Sequence, residues 1–374
     1  MWQSDSRKTL ILVGLALLAV VMQAGLELSR SPRQQRDYTA KMDATVKAHE
    51  AFTALRRHLN MEGATVDLVN DPAGTGLIGP EFSPITNSRG VLEAKLTSLN
   101  PNFAAVLVDQ FRQAGLKAGD PVAIAVSGSF PGLNVCLYAA IEALELSPTV
   151  ITSVGASMWG ANDPQMTWLD METYLVDERI LHVSTDMATL GGGDDMGRGL
   201  SPDGRQMLRD AIERNNIPLL ASDNIEDAIT KRMAYYAEAS RGRAYRCFVN
   251  VGGGVASLGS SRSRILIPHG LTMALEAENW PRKGTIALMA DKGIPVIHCL
   301  EIAALAREYG LPVAPDYLPE PGEGDIFVRD SYRLDFAAAA FLIYAGLCAA
   351  VLAPEFRRDL VNVWRFRRRR KGTS

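Results

Sequence analysis

The residues best placed to do chemistry lie in four glycine-rich stretches. Gly191-Gly192-Gly193-Asp194-Asp195-Met196-Gly197-Arg198-Gly199 is the most unusual. Its glycines let a backbone approach a ligand closely. Its adjacent carboxylates could act as acid and base or hold a divalent cation, although a solvated loop has the same composition. In the second stretch, Asn250-Val251-Gly252-Gly253-Gly254 and the residues on to Ser261, three glycines are flanked by Arg241, Arg243, Arg246, Arg262 and Arg264. Guanidinium groups bind carboxylates through paired hydrogen bonds, so Arg246, Asn250, Gly253, Gly254, Arg262 and Arg264 are candidate anion ligands.

The third stretch, Ser127-Gly128-Ser129-Phe130-Pro131-Gly132, joins a strand to a helix. Free amides and the positive helix end there suit a carboxylate, and a tight turn would use the same residues. No Walker lysine accompanies it. The fourth, Gly155 to Asp163, sets Trp159 beside Asn162 and Asp163. Gly128, Gly132, Asn162, Gly192 and Gly193 complete the candidate ligand set.

A catalytic reading of the same residues takes Ser127, Ser129 or Ser257 as nucleophile, Asp163, Asp194 or Asp195 as acid or base, and His269 as helper. No GxSxG elbow supports it. No CxxC or HExxH motif occurs and the five histidines are scattered, so no structural metal or cofactor is expected, with Asp194 and Asp195 the one place for a divalent cation.

Elements must position these loops. Short β-branched runs alternate with helical stretches from Asp120 onward: strands at 122–126, 149–153, 180–184, 217–220, 245–251 and 295–299, and helices at 133–145, 164–177, 202–215, 225–239, 284–292 and 302–309. Such alternation predicts an α/β fold with a parallel, Rossmann-like sheet at 120–310. Ligands would then bind beyond the carboxyl ends of the strands. Residues 27–119 read as a membrane-proximal region with helices at 37–61 and 102–114, and the Pro-rich segment 311–333 as a strut.

Two apolar runs of 18 residues, Thr9 to Leu26 and Phe336 to Ala353, bracket the whole. Each gives a helix of about 27 Å, enough to span a bilayer. Eight Lys and Arg residues between Arg357 and Lys371 predict a cytoplasmic tail at 354–374. With two spans, residues 1–8 are cytoplasmic too and the body is extracytoplasmic, in a two-pass inner-membrane protein. Between Glu27 and Arg333 lie 29 Lys and Arg against 38 Asp and Glu, a balance that disfavours nucleic acid as a partner. Cys136, Cys247 and Cys299 are too few and too widely spaced for a disulfide framework, though one pair could form.

Five segments carry a resemblance: TGLIGPEFSPIT (Thr75 to Thr86), GVLEAKLTSLNPNFAAV (Gly90 to Val106), VAIAVSGSFPGLN (Val122 to Asn134), TSVGASMWGANDPQMTWLDME (Thr152 to Glu172) and VNVGGGVASLGSS (Val249 to Ser261). Together with both spans, the chain resembles the poly-gamma-glutamate system protein family. The resemblance implies a pathway and a compartment but no reaction. Expected partners are the poly-gamma-glutamate polymer and other membrane subunits of its synthesis and export system. The leading expectation is a component that binds nascent polymer or partner subunits; the alternative is an extracytoplasmic hydrolase or transferase of gamma-glutamyl linkages.

Overall fold

A computed structural model describes residues 6–61, 66–276 and 279–351. The chain divides into two compact units, Gln35–Phe327 and the paired flanks Met1–Gln34 and Val328–Ser374.

In the flanking unit, helices α1 (Ser6–Leu28) and α12 (Leu334–Val351) are both long and apolar enough to cross a membrane. A helix satisfies its own backbone, which a bilayer interior requires. The side chains of Leu10, Val20, Val21, Phe341 and Leu342 are 66–70 % exposed. Strand β1 (Ser31–Gln34) pairs antiparallel with β12 (Val328–Ser331). Next to them Arg30 lies 2.7 Å from the Glu27 carboxylate and 4.5 Å over the Tyr332 ring. Leu352, Ala353 and the basic tail lie outside the described residues, as do residues 1–5.

The larger unit opens with α2 (Tyr38–Met61), which buries Lys41, Ala44, Ala48, Phe52 and Leu55 at the three- and four-residue spacing of one helix face. That face joins a core shared with α4 (Phe103–Gln113) and α5 (Pro131–Ala143). The region expected to stand near the membrane thus belongs to the same body as the sheet. Between these helices come β2 (Thr86–Ser88) and the short α3 (Leu92–Thr97).

The main sheet has six strands: β3 (Pro121–Ser127), β4 (Ser147–Ser153), β8 (Met187–Thr189), β9 (Cys247–Val251), β10 (Gly270–Thr272) and β11 (Val296–Cys299). Their order is β10-β11-β9-β3-β4-β8, all parallel except the edge strand β10. Every residue of β3 is buried, as a strand covered on both faces requires. The chain first winds outward from β3 through β4 to β8, then returns to β3's other side with β9. The winding direction therefore reverses between β3 and β9.

Three minor strands, β5 (Ala156–Ser157), β6 (Asn162–Asp163) and β7 (Met166–Thr167), lead into α6 (Trp168–Asp177). Then follow α7 (Pro202–Arg214), α8 (Ile225–Ala239), α9 (Val255–Leu258), α10 (Thr285–Ala290) and α11 (Ile302–Glu308). The expected strand at 180–184 is not one. The amides of His182 and Val183 both donate to the Glu142 carboxylate, the latter at 3.2 Å, and those of Ile180 and Leu181 donate back to Leu175 O at the end of the preceding helix; side-chain and helix-end acceptors occupy the groups a ladder would use. At 217–220 only one bridge forms, Ala188 to Leu219. The Pro-rich segment is no free strut. Asn102 Nδ2 donates to Glu320 O at 2.9 Å, the Ala314 amide donates to Thr97 at 3.0 Å, and Leu311 and Phe327 are buried.

Candidate functional site

A cleft of about 590 Å³ opens at the carboxyl ends of the strands. Gly252 shows how closely its two central strands approach: φ is +102° and an added Cβ would stand 2.3 Å from Ser127 Oγ. Only glycine meets both conditions. Ser127 ends β3 and Ser129 follows it, Gly155 and Ser157 follow β4, Gly192 and Gly193 follow β8, and Gly253 and Gly254 follow β9; all line this one cleft. Its site at the reversal of winding is where open α/β sheets place ligands.

One wall comes from Asn87 to Lys95, and the opposite one includes Arg264 and Leu300 to Ala303. The preceding loop is held by buried polar contacts. Asp71 accepts from Thr75 Oγ1 at 3.0 Å and from the Gly76 amide at 2.7 Å, and Asn162 Nδ2 donates to Pro80 O and Thr86 Oγ1, both at 2.8 Å. β2 then pairs parallel with β5, setting Ser88 opposite Ser157. This pairing brings α3 over the cleft.

On α3, Lys95 is only 2 % exposed. Its Nζ donates to the Ser129 carbonyl, lies 2.7 Å from Ser157 Oγ and sits 4.0 Å over the Phe130 ring. Among the described residues it has no carboxylate partner. Burial therefore lowers its pKa to about 7, because little compensates the desolvated ammonium. Ser157 Oγ is held in turn on a backbone whose amide donates to Ser129 Oγ at 3.1 Å. Arg89 and Arg264 also line the cleft. Arg89 forms no ion pair among the described residues, whereas Arg264 engages Glu301. The amides of Gly253 and Gly254 donate to no atom of the described residues.

The other sequence candidates lie elsewhere or are occupied. Asp195 is buried and locked to Arg232, whose Nε lies 2.8 Å away and whose Nη2 donates to Ser153 and Thr189, both at 2.8 Å. Asp194 pairs with Arg198 at 3.1 Å. No group of three or more His, Cys, Asp or Glu able to hold a metal occurs among the described residues. Asp163 is exposed and accepts from the Gln165 amide at 2.9 Å. His269 stands 3.6 Å from Glu308, outside the cleft lining. Ser257 is buried in α9.

Gly132 serves packing: a Cβ there would meet Ser98 O at 2.6 Å. Gly128 abuts Val154 in the same way. Asn250 donates to Gly252 O at 2.7 Å and faces His298, which burial holds neutral with a pKa of about 4. Arg262 is exposed and outside the lining, and Arg246 precedes β9. Arg246 and Gly252 flank β9 at its two ends, which puts Arg246, with Arg243 beyond it, at the amino end of the strand, roughly 20 Å from Gly252 at about 3.3 Å per residue. There Arg243 donates to Ser147 Oγ at 3.0 Å. Cys136, Cys247 and Cys299 are all free and buried.

The residues that sequence reasoning passed over are Arg89, Lys95 and Ser157. One signal was present: Lys95 sits three and four residues before Ser98 and Leu99, both buried, at the spacing of one helix face. The chain matches no protein-family model, no curated protein and no solved structure.

Proposed function

We propose that this is a membrane-anchored, extracytoplasmic component of a poly-gamma-glutamate synthesis and export system, whose cleft binds carboxylate-bearing gamma-glutamyl chain. A gamma-linked glutamate polymer presents one free carboxylate per unit. The observation that carries the reading is the cluster of uncompensated donors at one opening: Arg89, Lys95 and the free amides of Gly253 and Gly254. An acidic surface elsewhere would keep a polyanion from adhering outside that opening. Four of the five family-like segments also contribute to the lining, through Lys95, Ser127, Ser157 and Gly254.

The strand order, reversing between β3 and β9, supports a Rossmann-like reading of the body. The two apolar helices and the basic residues from Arg357 to Lys371 support a two-pass arrangement with both termini cytoplasmic. The test is binding of poly-gamma-glutamate to the full chain in lipid nanodiscs, with poly-alpha-glutamate as control. Salt-sensitive binding weakened at least tenfold by Arg89→Ala is expected. Absence of binding, or a reporter at Gly242 proving cytosolic, would overturn the reading.

A further inference from the structure

Lys95 and Ser157 form a pair that anion binding alone does not require. A lysine meant only to attract carboxylates works best at the surface, fully protonated. Here the amine is 2 % exposed, pressed against an aromatic face, and its Nζ is 2.7 Å from a serine oxygen. Ser157 lines the same cleft, so its Oγ meets whatever enters.

We propose that Ser157 is a nucleophile and Lys95 its general base, together catalysing acyl transfer from an amide whose acyl part carries a free carboxylate. The choice of substrate rests on the carboxylate-binding reading of the cleft; the nucleophilic pair does not. Neutral Lys95 takes the proton of Ser157 Oγ–H as Oγ bonds to the amide carbon. The tetrahedral intermediate collapses when the C–N bond breaks and the departing amine takes that proton from Lys95. Water, or the amine of a second chain, then attacks the ester, giving its proton to Lys95. Ser157 leaves and regains a proton from Lys95, so hydrolysis consumes one water and transpeptidation none.

Three observations agree with these roles. Nζ donates to the Ser129 carbonyl, which orients the amine and leaves a lone pair for the serine. Burial holds a large share of Lys95 neutral near neutral pH, since its pKa falls to about 7; a base tuned to the working pH is the efficient one. Finally, the free amides of Gly253 and Gly254 supply donors in the same opening for developing negative charge.

The test uses the full chain in nanodiscs and a fluorophosphonate probe, which reacts only with activated serines. Mass spectrometry should place the adduct on Ser157, formed at a rate that rises with pH to a plateau with an inflection near 7. Ser157→Ala should abolish labelling of a chain that remains folded by circular dichroism. Lys95→Arg keeps the charge but cannot release its proton, so it should fold and lose at least 100-fold in labelling rate. No adduct on folded wild-type protein, an adduct on another serine, or full labelling in Lys95→Arg would overturn the proposal. Polymer binding without labelling sinks this inference alone, and labelling without polymer binding sinks only the polymer reading.

Discussion

Arg232 and Lys95 are both buried behind the same sheet end, yet their surroundings are opposite. Arg232 meets a carboxylate and two hydroxyls that use its fork of donors. Lys95 meets a carbonyl, a hydroxyl and a ring, with no countercharge. A buried cation with its charge matched has one protonation state and fixes geometry. A buried cation without a match sits near the point where its proton is exchangeable. The first region holds the Gly191 to Gly199 loop against β4 and β8, while the second faces the opening. Two residues of the same sign thus separate into architecture and chemistry by their neighbours alone.

That contrast can be broken in order of effect. Arg232→Met should leave Asp195 buried and unpaired, lowering stability by about 3–5 kcal/mol, as chemical denaturation of the full chain would record. Combining it with Asp195→Leu should restore much of the loss; equal losses in the single and double variants would contradict the assignment. Lys95→Met removes an uncompensated charge, so stability should change by no more than about 1 kcal/mol or rise.

A sharper test uses pH. The folded pKa of Lys95 lies below its unfolded value, so above about 7 the unfolded chain binds more protons and stability should increase with pH. The slope is at most about 1.4 kcal/mol per unit. From about pH 7 to 8.5 the wild type should gain stability relative to Lys95→Met at up to this slope, while Glu172, which burial raises to about 7, pulls both proteins the other way near pH 7. Below about 7 the charged lysine destabilises the fold in full. Beyond that window the buried thiols of Cys136, Cys247 and Cys299, raised by burial, oppose the trend. Identical slopes in the two proteins would mean that Lys95 has an ordinary pKa.

The smallest effects separate the two sheet ends. Arg264→Ala, in the cleft but engaged by Glu301, should weaken polymer binding about threefold. Arg246→Ala, at the far end, should leave both binding and stability within about 0.5 kcal/mol of wild type. A larger loss at Arg246 than at Arg264 would relocate the site.

Regular periodicity made much of the fold legible in advance. The helix expected at 225–239 is α8, with Asn224 capping it, and the apolar run 122–126 lies within β3. Reading failed where side chains replace ladders, at 180–184, and where a strand has only three residues, at Met187–Thr189 and Gly270–Thr272. The loops after β3, β4, β8 and β9 could be expected to converge because parallel strands send their ends one way. Which residues face the opening could not be read. Arginines on both sides of β9 look like one cluster in sequence, but a strand separates them. Lys95 looks like an ordinary surface lysine until β2 and β5 pair and carry it inward.

The amide of Gln35 donates to the carbonyl of Phe327 at 2.9 Å, so the larger unit begins and ends at the same point. Topologically it is a closed loop, a cassette that enters and leaves through one doorway. Such a body can be moved as a whole into the turn of another scaffold, and severing either flanking helix would still leave it leashed to the other.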